Sequence, residues 1–422
     1  MIIMNELREI LEKEEKNRVF DLKADKGPNK GLRYWKDHLQ PKQQLVVIAA
    51  GGDGTVGWLL SCVEAVNFGD QACVVPLALG TANDMSRILG WGKGYRTGDP
   101  ILPIVNTIKN NSEVILLDRW KVVATELKEE ETAHYRQLID ELTVNDFEEI
   151  LDEKEDNSAL LQGIESSLTS SQDQIKNHEP DDVVLSTSGT IKPPPRPSSP
   201  PTGNPIRRSQ ASFDPSAPAR PTTDLPKMRP LVANNYFSVG IDSEMLSNFD
   251  TLRKDHPELF PHRVVNFAWY GLIGLKAMLQ KYTSLRHFIY FMADGKPIII
   301  PKFIKALVFM NVPSYSGGTN PWKVSRNADE VAGEQCVWDG KIEVFGMYGA
   351  AHFGRTVASM SRGGIRICQC TRATICTTSP IAGQVDGEPY MFFPSKIELS
   401  LKPTKARLLV NLNKKKKLDI YL

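Results

Sequence analysis

The stretch Ala49-Ala50-Gly51-Gly52-Asp53-Gly54-Thr55 decides how this chain is read. It follows Leu45-Val46-Val47-Ile48, a short apolar, β-branched run that reads as a buried parallel strand. It precedes Val56-Gly57-Trp58-Leu59-Leu60-Ser61-Cys62-Val63, where apolar residues recur at helical spacing. The glycines therefore fall at a strand-to-helix turn. Glycine lets the backbone take positive φ and approach a ligand closely. The helix behind it offers free N–H groups and the positive end of a dipole, which together suit phosphate. Asp53 runs against that charge preference. A carboxylate there makes sense if it holds Mg2+ or takes a proton from an attacking hydroxyl. As a bare pattern, a tight turn with an Asp cap reads equally well.

A second stretch repeats the arrangement. Val74-Val75-Pro76-Leu77-Ala78-Leu79 is another buried-strand candidate, followed by Gly80-Thr81-Ala82-Asn83-Asp84-Met85-Ser86-Arg87. Two such crests in one parallel sheet face a common crevice at the carboxyl ends of the strands. In these stretches, Gly51 to Trp58 and Pro76 to Asp84, the sequence resembles the diacylglycerol kinase family. The wider superfamily of lipid kinases and NAD kinases shares the first motif, whereas the second, in this form, is more typical of lipid kinases.

A chain of 422 residues implies two domains plus linkers. A formal net charge of +1 sets up no global field, so no nucleic-acid partner is expected. The six cysteines (Cys62, Cys73, Cys336, Cys368, Cys370, Cys376) give no paired Cys-x-x-Cys zinc spacing, and reduced cytosolic thiols are the default. Cys368 and Cys370 sit two apart in a strand-like run and would share one face. The N-terminus soon turns charged and has no signal-peptide core, and no apolar stretch reaches the ~20 residues of a membrane span. The expected location is cytoplasmic, with peripheral membrane contact.

Asn5 to Lys16 reads as an amphipathic helix, Arg18 to Leu22 as a short strand and Leu32 to Leu39 as a helix. Val19-Phe20-Asp21-Leu22, with Gly27-Pro28 and Gly31-Leu32, also resembles the family's catalytic domain. Family members usually begin with an earlier strand and phosphate loop, so by resemblance the chain is expected to be N-terminally incomplete. Leu102 to Lys109 fits a helix and Glu113 to Val123 one long strand, whose Leu117-Asp118-Arg119-Trp120 resembles the family's lead into its second domain. From Glu126 to about Pro230 the chain is first acidic, then rich in Pro and Ser. Such composition cannot offset chain entropy by burial, and a disordered insertion is expected, with a transient helix over Leu138 to Ile150. Pro194, Pro197 and Pro200 are spaced as an SH3-type ligand or a solvated linker.

Order is expected again at Asn234-Asn235-Tyr236-Phe237, which with Gly240-Ile241-Asp242 resembles a family strand and turn. Phe267 to Lys281 fits a core-facing helix, and short strands with Gly turns from Ile298 onward suggest a sandwich. Pro313-Ser314 with Gly317-Gly318 and Asn320 resembles a family loop. Gln384-Val385-Asp386-Gly387-Glu388-Pro389 reads as a strand ending in a turn, which by resemblance lies near the cleft between domains. Lys414 to Lys417 is a basic run, solvated or in weak contact with anionic lipid.

The resemblance implies an α/β nucleotide-binding domain of the NAD kinase and diacylglycerol kinase type over residues 1–124 and a disordered insertion over 125–229. It implies a β-rich, sandwich-like domain over 230–410 and a basic tail over 411–422. The activity implied is transfer of the γ-phosphoryl of ATP, with Mg2+, to the primary hydroxyl of diacylglycerol at a membrane surface. Gly51, Gly52, Asp53, Gly54 and Thr55 are expected at the phosphates, and Gly80, Thr81 and Asn83 at the nucleotide. Asp53 and Glu388 are the catalytic candidates, Asp53 the more sensitive, and Asp386 is the expected metal ligand. The alternatives are a kinase for ceramide, a sphingoid base or monoacylglycerol, and a catalytically silent lipid- or nucleotide-binding scaffold.

Overall fold

Leu45–Gly51 (β1) and Ala72–Ala78 (β2) run parallel in the computed structural model, from Leu45 opposite Ala72 to Gly51 opposite Ala78. The structure describes residues 2–13, 18–24, 27–80, 82–95, 98–144, 230–256, 283–323, 331, 333–349 and 364–417. These fall within one compact unit, Met1–Phe147 with Leu225–Leu422. β2 is buried at every position, as a continuous apolar run in a covered parallel sheet requires. The helices of this half are Ile2–Leu11 (α1), Asn29–His38 (α2), Asp53–Val66 (α3), Asp84–Ile88 (α4) and Leu102–Asn110 (α5). α3 buries Val56, Leu59, Leu60 and Cys62 and ends at Asn67, whose φ of 58° makes the left-handed cap that Asn tolerates.

Arg18 to Leu22 is not a strand. The Glu12 carboxylate takes the N–H groups of Arg18 and Val19 at 3.0 and 2.9 Å, and Asp21 takes those of Lys23 and Ala24. Those donors are spent on local side chains, so a ladder cannot use them.

The expected long strand over Glu113–Val123 breaks at Asp118-Arg119 into Ser112–Leu117 (β3) and Trp120–Glu126 (β4). The last strand, Ala406–Asn411 (β16), does not belong with the β-rich part where the sequence reading put most of it. It lies between β2 and β3, giving the sheet order β1-β2-β16-β3. β4 pairs antiparallel with Ser395–Leu401 (β15), just as β3 pairs antiparallel with β16. Two antiparallel chains thus pass together from one sheet to another. At the crossing, Gly340 donates to Asp118 at 2.6 Å, Lys405 Nζ pairs with Asp118 at 3.0 Å, and the Lys402 N–H bonds to the Arg119 carbonyl at 2.8 Å.

The remaining strands are Leu231–Ala233 (β5), Tyr236–Gly240 (β6), Ile289–Ala293 (β7), Lys296–Ile298 (β8), Ala306–Met310 (β9), Ile342–Met347 (β10), Ile365–Cys370 (β11), Arg372–Thr377 (β12), Ile381–Val385 (β13) and Glu388–Phe392 (β14). Among the described residues they form two six-stranded sheets, β11-β10-β9-β6-β13-β14 and β5-β4-β15-β12-β7-β8. Trp120, Phe237, Phe291, Phe309 and Ile397 meet in one core between them, so the β-rich part is a sandwich. Cys370 lies in that core, with Cys368 packed against it, both as free thiols.

The start of the acidic stretch is ordered rather than disordered. Glu129–Val144 forms a helix (α6) that opens on three glutamates, which suits the positive end of its dipole. Tyr135, Ile139 and Leu142 form a stripe at helical spacing. Ile139 is buried, the Tyr135 ring lies 5.7 Å from that of Tyr290, and Leu142 lines a groove with Ile289 and Ile298. The stripe was present in the sequence, but the charge density hid it. Residues 145–229, with Pro194, Pro197 and Pro200, and the expected helix from Phe267 to Lys281 lie outside the described residues. Ile241–Asp255 (α7) covers the outer face of the β6 sheet, burying Ile241, Met245 and Phe249.

Candidate active site

The two glycine crests touch each other. A Cβ at Gly52 would lie 3.2 Å from the Gly80 Cα, and one at Gly80 2.6 Å from the Gly52 Cα. Only glycine at both positions lets these backbones meet. The Leu79 N–H bonds to the Gly51 carbonyl at 2.9 Å, continuing the β1–β2 ladder up to the crests. Asn83 sits at φ 53° ahead of α4 and staples its loop, donating from Nδ2 to the carbonyls of Gly80 (2.7 Å) and Lys93 (3.0 Å). Those two bonds fix which end of the amide points where. The other end, Oδ1, is buried beside Gly80 with no hydrogen-bond partner among the described residues. A buried acceptor without a partner is costly and marks a place for a donor. Thr81 lies outside the described residues.

Asp53 caps a helix, but not its own. Its Oδ2 accepts from the Asp84 N–H at 2.8 Å and its Oδ1 from the Met85 N–H at 3.1 Å, so it locks α3 to the start of α4. A side-chain hydrogen bond from Asn235 adds to these. Burial and the neighbouring Asp84 push the Asp53 carboxyl up to about 6. Asp84 is fully buried and faces the other way. It accepts from Ser314 Oγ at 2.5 Å and from the Gly317 N–H at 3.0 Å, joining α4 to a loop of the sandwich. Burial pushes its pKa up, opposed by those hydrogen bonds.

Asp386, at φ 49° in the β13–β14 turn, spends both oxygens on the β5–β6 turn. Oδ1 accepts the N–H groups of Asn234, Asn235 and Tyr236 at 3.1, 2.7 and 3.1 Å, and Oδ2 those of Asn234 N and Nδ2 at 2.8 and 2.9 Å. A carboxylate has about four lone-pair sites. These contacts fill them, which argues against the metal expected at Asp386. Glu388 is the opposite case. It is exposed, its carboxylate makes no hydrogen bond or ion pair with the described residues, and its Oε1 lies 3.5 Å from where a Gly54 Cβ would sit. A Cβ at Gly57 would fall 2.9 Å from Asn234 Nδ2. Gly54 and Gly57, read from the sequence as part of a phosphate loop and its helix, are thus the face on which the Asn234 and Glu388 turns dock.

Buried cross-braces hold this assembly. Arg119 donates to Glu64 (2.6 Å) and Ser61 (2.9 Å) on α3 and from Nε to Asn234 Oδ1 (3.0 Å). Asn311 donates to the carbonyls of Asp118 and Asn234 at 2.8 and 2.6 Å and accepts from Trp120 Nε1 at 2.9 Å. Among the described residues no three His, Cys, Asp or Glu side chains form a metal cluster.

Two family models match this chain in tandem. The diacylglycerol kinase catalytic domain covers residues 2–116 and the diacylglycerol kinase accessory domain covers residues 232–389. The chain belongs to the diacylglycerol kinase family. As a diacylglycerol kinase homologue it is 30% identical to the eye-specific diacylglycerol kinase of Drosophila melanogaster over 91% of this chain and 20% of that protein. Diacylglycerol kinase 2 of Arabidopsis thaliana matches at 25% over 90% of this chain and 40% of its own, and human diacylglycerol kinase theta at 26% over 93% and 32%. The chain therefore spans about a fifth to two fifths of the length of these relatives. A solved diacylglycerol kinase from Bacillus anthracis aligns with 90% of this chain and 86% of its own at 12% identity and a TM-score of 0.38, a distance at which residue correspondences do not carry over.

The catalytic match ends at residue 116 and the accessory match at 389, so the crossing strands β4, β15 and β16 lie outside both. Of the residues expected at the site, Gly51 to Thr55, Gly80, Asn83, Asp386 and Glu388 do converge. The sequence reading gave no site role to Asp84, Asn235, Arg119, Ser314 or Asn311. The signal for the first two was local: an Asp directly after an Asn suited to the left-handed region, and an Asn-Asn doublet between two apolar runs.

Proposed function

We propose that this chain is an ATP-dependent diacylglycerol kinase, moving the γ-phosphoryl of ATP to the primary hydroxyl of diacylglycerol to give phosphatidic acid. Glu388 carries the reading: an unpartnered carboxylate set against the N-terminal turn of α3, beside the crest where Gly52 and Gly80 meet. The names of the relatives and the catalytic family model support the same reaction.

In this reading the N–H groups of Gly51 to Thr55 bind phosphate oxygens at the helix N-terminus. Gly80, Thr81 and Asn83 hold the nucleotide, and the orphaned Asn83 Oδ1 takes one of its donors. Asp53 fits Mg2+, since each oxygen accepts one backbone N–H and, even with the bond from Asn235, the carboxylate keeps a free lone pair, and Mg2+ needs one or two carboxylates beside phosphate oxygens. When bound, Mg2+ neutralises charge on the phosphates. Glu388 accepts the hydroxyl proton as the phosphoryl group arrives. This reverses the expectation that Asp53 is the more sensitive of the two, because Asp53 is already committed to positioning α4. No helix among the described residues is long and apolar enough to cross a membrane, which fits a peripheral approach to a lipid acceptor from the cytoplasm. An SH3-type partner at Pro194, Pro197 and Pro200 remains part of the proposal, in residues outside those described.

The test is labelled ATP against a lipid panel in mixed micelles. Label in phosphatidic acid is the expected result. Label in ceramide or sphingoid-base products instead would reassign the substrate, and no labelled lipid at all would favour a silent scaffold.

A further inference from the structure

A lipid acceptor has to be met at a surface. β14 is the outermost strand of its sheet among the described residues and begins at Glu388. Beyond it the chain reads Pro389-Tyr390-Met391-Phe392-Phe393-Pro394-Ser395, without a charge until Lys396. Strand alternation sends Phe392 into the sandwich core and leaves Met391 52% and Phe393 51% exposed. On α3, one turn on from Gly54, Trp58 is 46% exposed, its ring edge packed over Gly27. Large apolar side chains therefore stand exposed on both elements that meet at Glu388.

Edge strands are commonly blunted by charge. This one carries proline instead, at Pro389 within the strand and at Pro394 two residues past its end, which removes a ladder donor and discourages pairing with a strand of a second copy. An uncharged apolar edge that resists strand addition suits acyl chains better than water or another protein strand. The five residue steps from Glu388 to Phe393 span about 17 Å, enough to bury the apolar end while Glu388 stays at headgroup level. Resting on the kinase reading, we propose that the β14 edge, through Met391 and Phe393, is the surface by which this protein seats on a lipid bilayer, with Trp58 as the opposite lip, so that an acceptor hydroxyl at the headgroups reaches Glu388.

The test compares the parent chain with a Met391→Asp, Phe393→Asp double variant. One arm is co-sedimentation with phosphatidylcholine vesicles containing diacylglycerol. The other is turnover on those vesicles and on a water-soluble short-chain diacylglycerol. Expected are a fall in vesicle binding and vesicle turnover of about tenfold or more, with soluble turnover within about twofold of the parent. Equal sedimentation of the folded variant overturns the proposal. So does a variant that loses self-association in place of vesicle binding, which assigns the edge to a second copy. If the parent phosphorylates neither substrate, the kinase reading fails, while sedimentation still decides the surface. Should the double variant not fold, Phe393→Ser alone carries both arms.

Discussion

Asp53 and Glu388 differ in how their oxygens are spent, and that difference predicts how their variants behave. Glu388→Gln removes a free carboxylate, so turnover should fall at least ~10²-fold with an unchanged melting temperature. Asp53→Asn turns one acceptor into a donor facing the N–H of Asp84 or Met85, so it should also destabilise the fold by about 1–3 kcal/mol. Parallel turnover and melting measurements decide it. Near-normal turnover in Glu388→Gln, with Asp53→Asn folded but dead, would make Asp53 the base. In the metal-free chain the Asp53 carboxyl is pushed from near 3.8 up to about 6, so between those values the folded chain holds a proton that the unfolded chain has released, and its contribution to stability declines as pH rises across that window. Glu343 shows the same physics away from the site. It is buried on β10, accepts from Gln369 Nε2 at 2.8 Å, and burial raises its carboxyl from near 4.5 to about 8. Between those values the folded chain binds a proton that the unfolded chain has released, so its contribution to stability declines as pH rises across that window. Glu343→Gln should flatten the pH dependence of stability there and raise the melting temperature at pH 8. A variant that melts lower at pH 8 than the parent would show that the ionised carboxylate is the stabilising form.

At the scale of elements, the motif that begins at Gly51 does two jobs. Its first part brings β1 and β2 crests together, and its second presents α3 to the sandwich turns. The glycines of the second part can be told apart. Gly54→Ala meets Glu388 at an ordinary 3.5 Å and should leave melting unchanged or slightly raised. Gly57→Ala drives a methyl to within 2.9 Å of Asn234 Nδ2, which Asp386 holds, and should cost about 1–3 kcal/mol. Equal melting of the two variants would remove the docking role from Gly57. Part of this was legible: β1 and β2 announced themselves as β-branched runs ending in glycine, whereas the docking face made by Gly54 and Gly57 was not read, because its partners Asn234 and Glu388 lie far away in sequence. The break at Asp118-Arg119 was not, because apolar residues continue on both sides and only the tertiary partners of Asp118 separate β3 from β4. The Asp53 contacts to α4 were hidden for a similar reason, since they join residues far apart in sequence.

On the scale of the whole molecule, the paired crossings β3–β4 and β15–β16 make the two halves interdependent. Leu408 and Val410 of β16 are buried in the same core as Val74 of β2 and Ile115 of β3. Trp91 Nε1 bonds to the Leu409 carbonyl at 2.7 Å, so the loop after α4 also rests on β16. Unfolding of the β1–β2 sheet and of the sandwich should therefore coincide in one transition, followed by amide exchange in β2 and in β12. Two separated transitions would show that the crossings are only a tether. Leu408→Asp should abolish protection in β2 although it lies on a different segment of chain.

The placement of β16 also sets a timetable for synthesis. β1, β2 and β3 have all been synthesised by residue 117, yet the strand that belongs between β2 and β3 is residues 406–411. Until it arrives, the nascent sheet keeps an open slot flanked by two apolar strand edges, a species prone to misassembly and chaperone capture. A ribosome that stops short of Ala406 thus releases a product that cannot close the sheet carrying the Gly52 and Gly80 crests, so completion of translation becomes a condition for building that crevice at all.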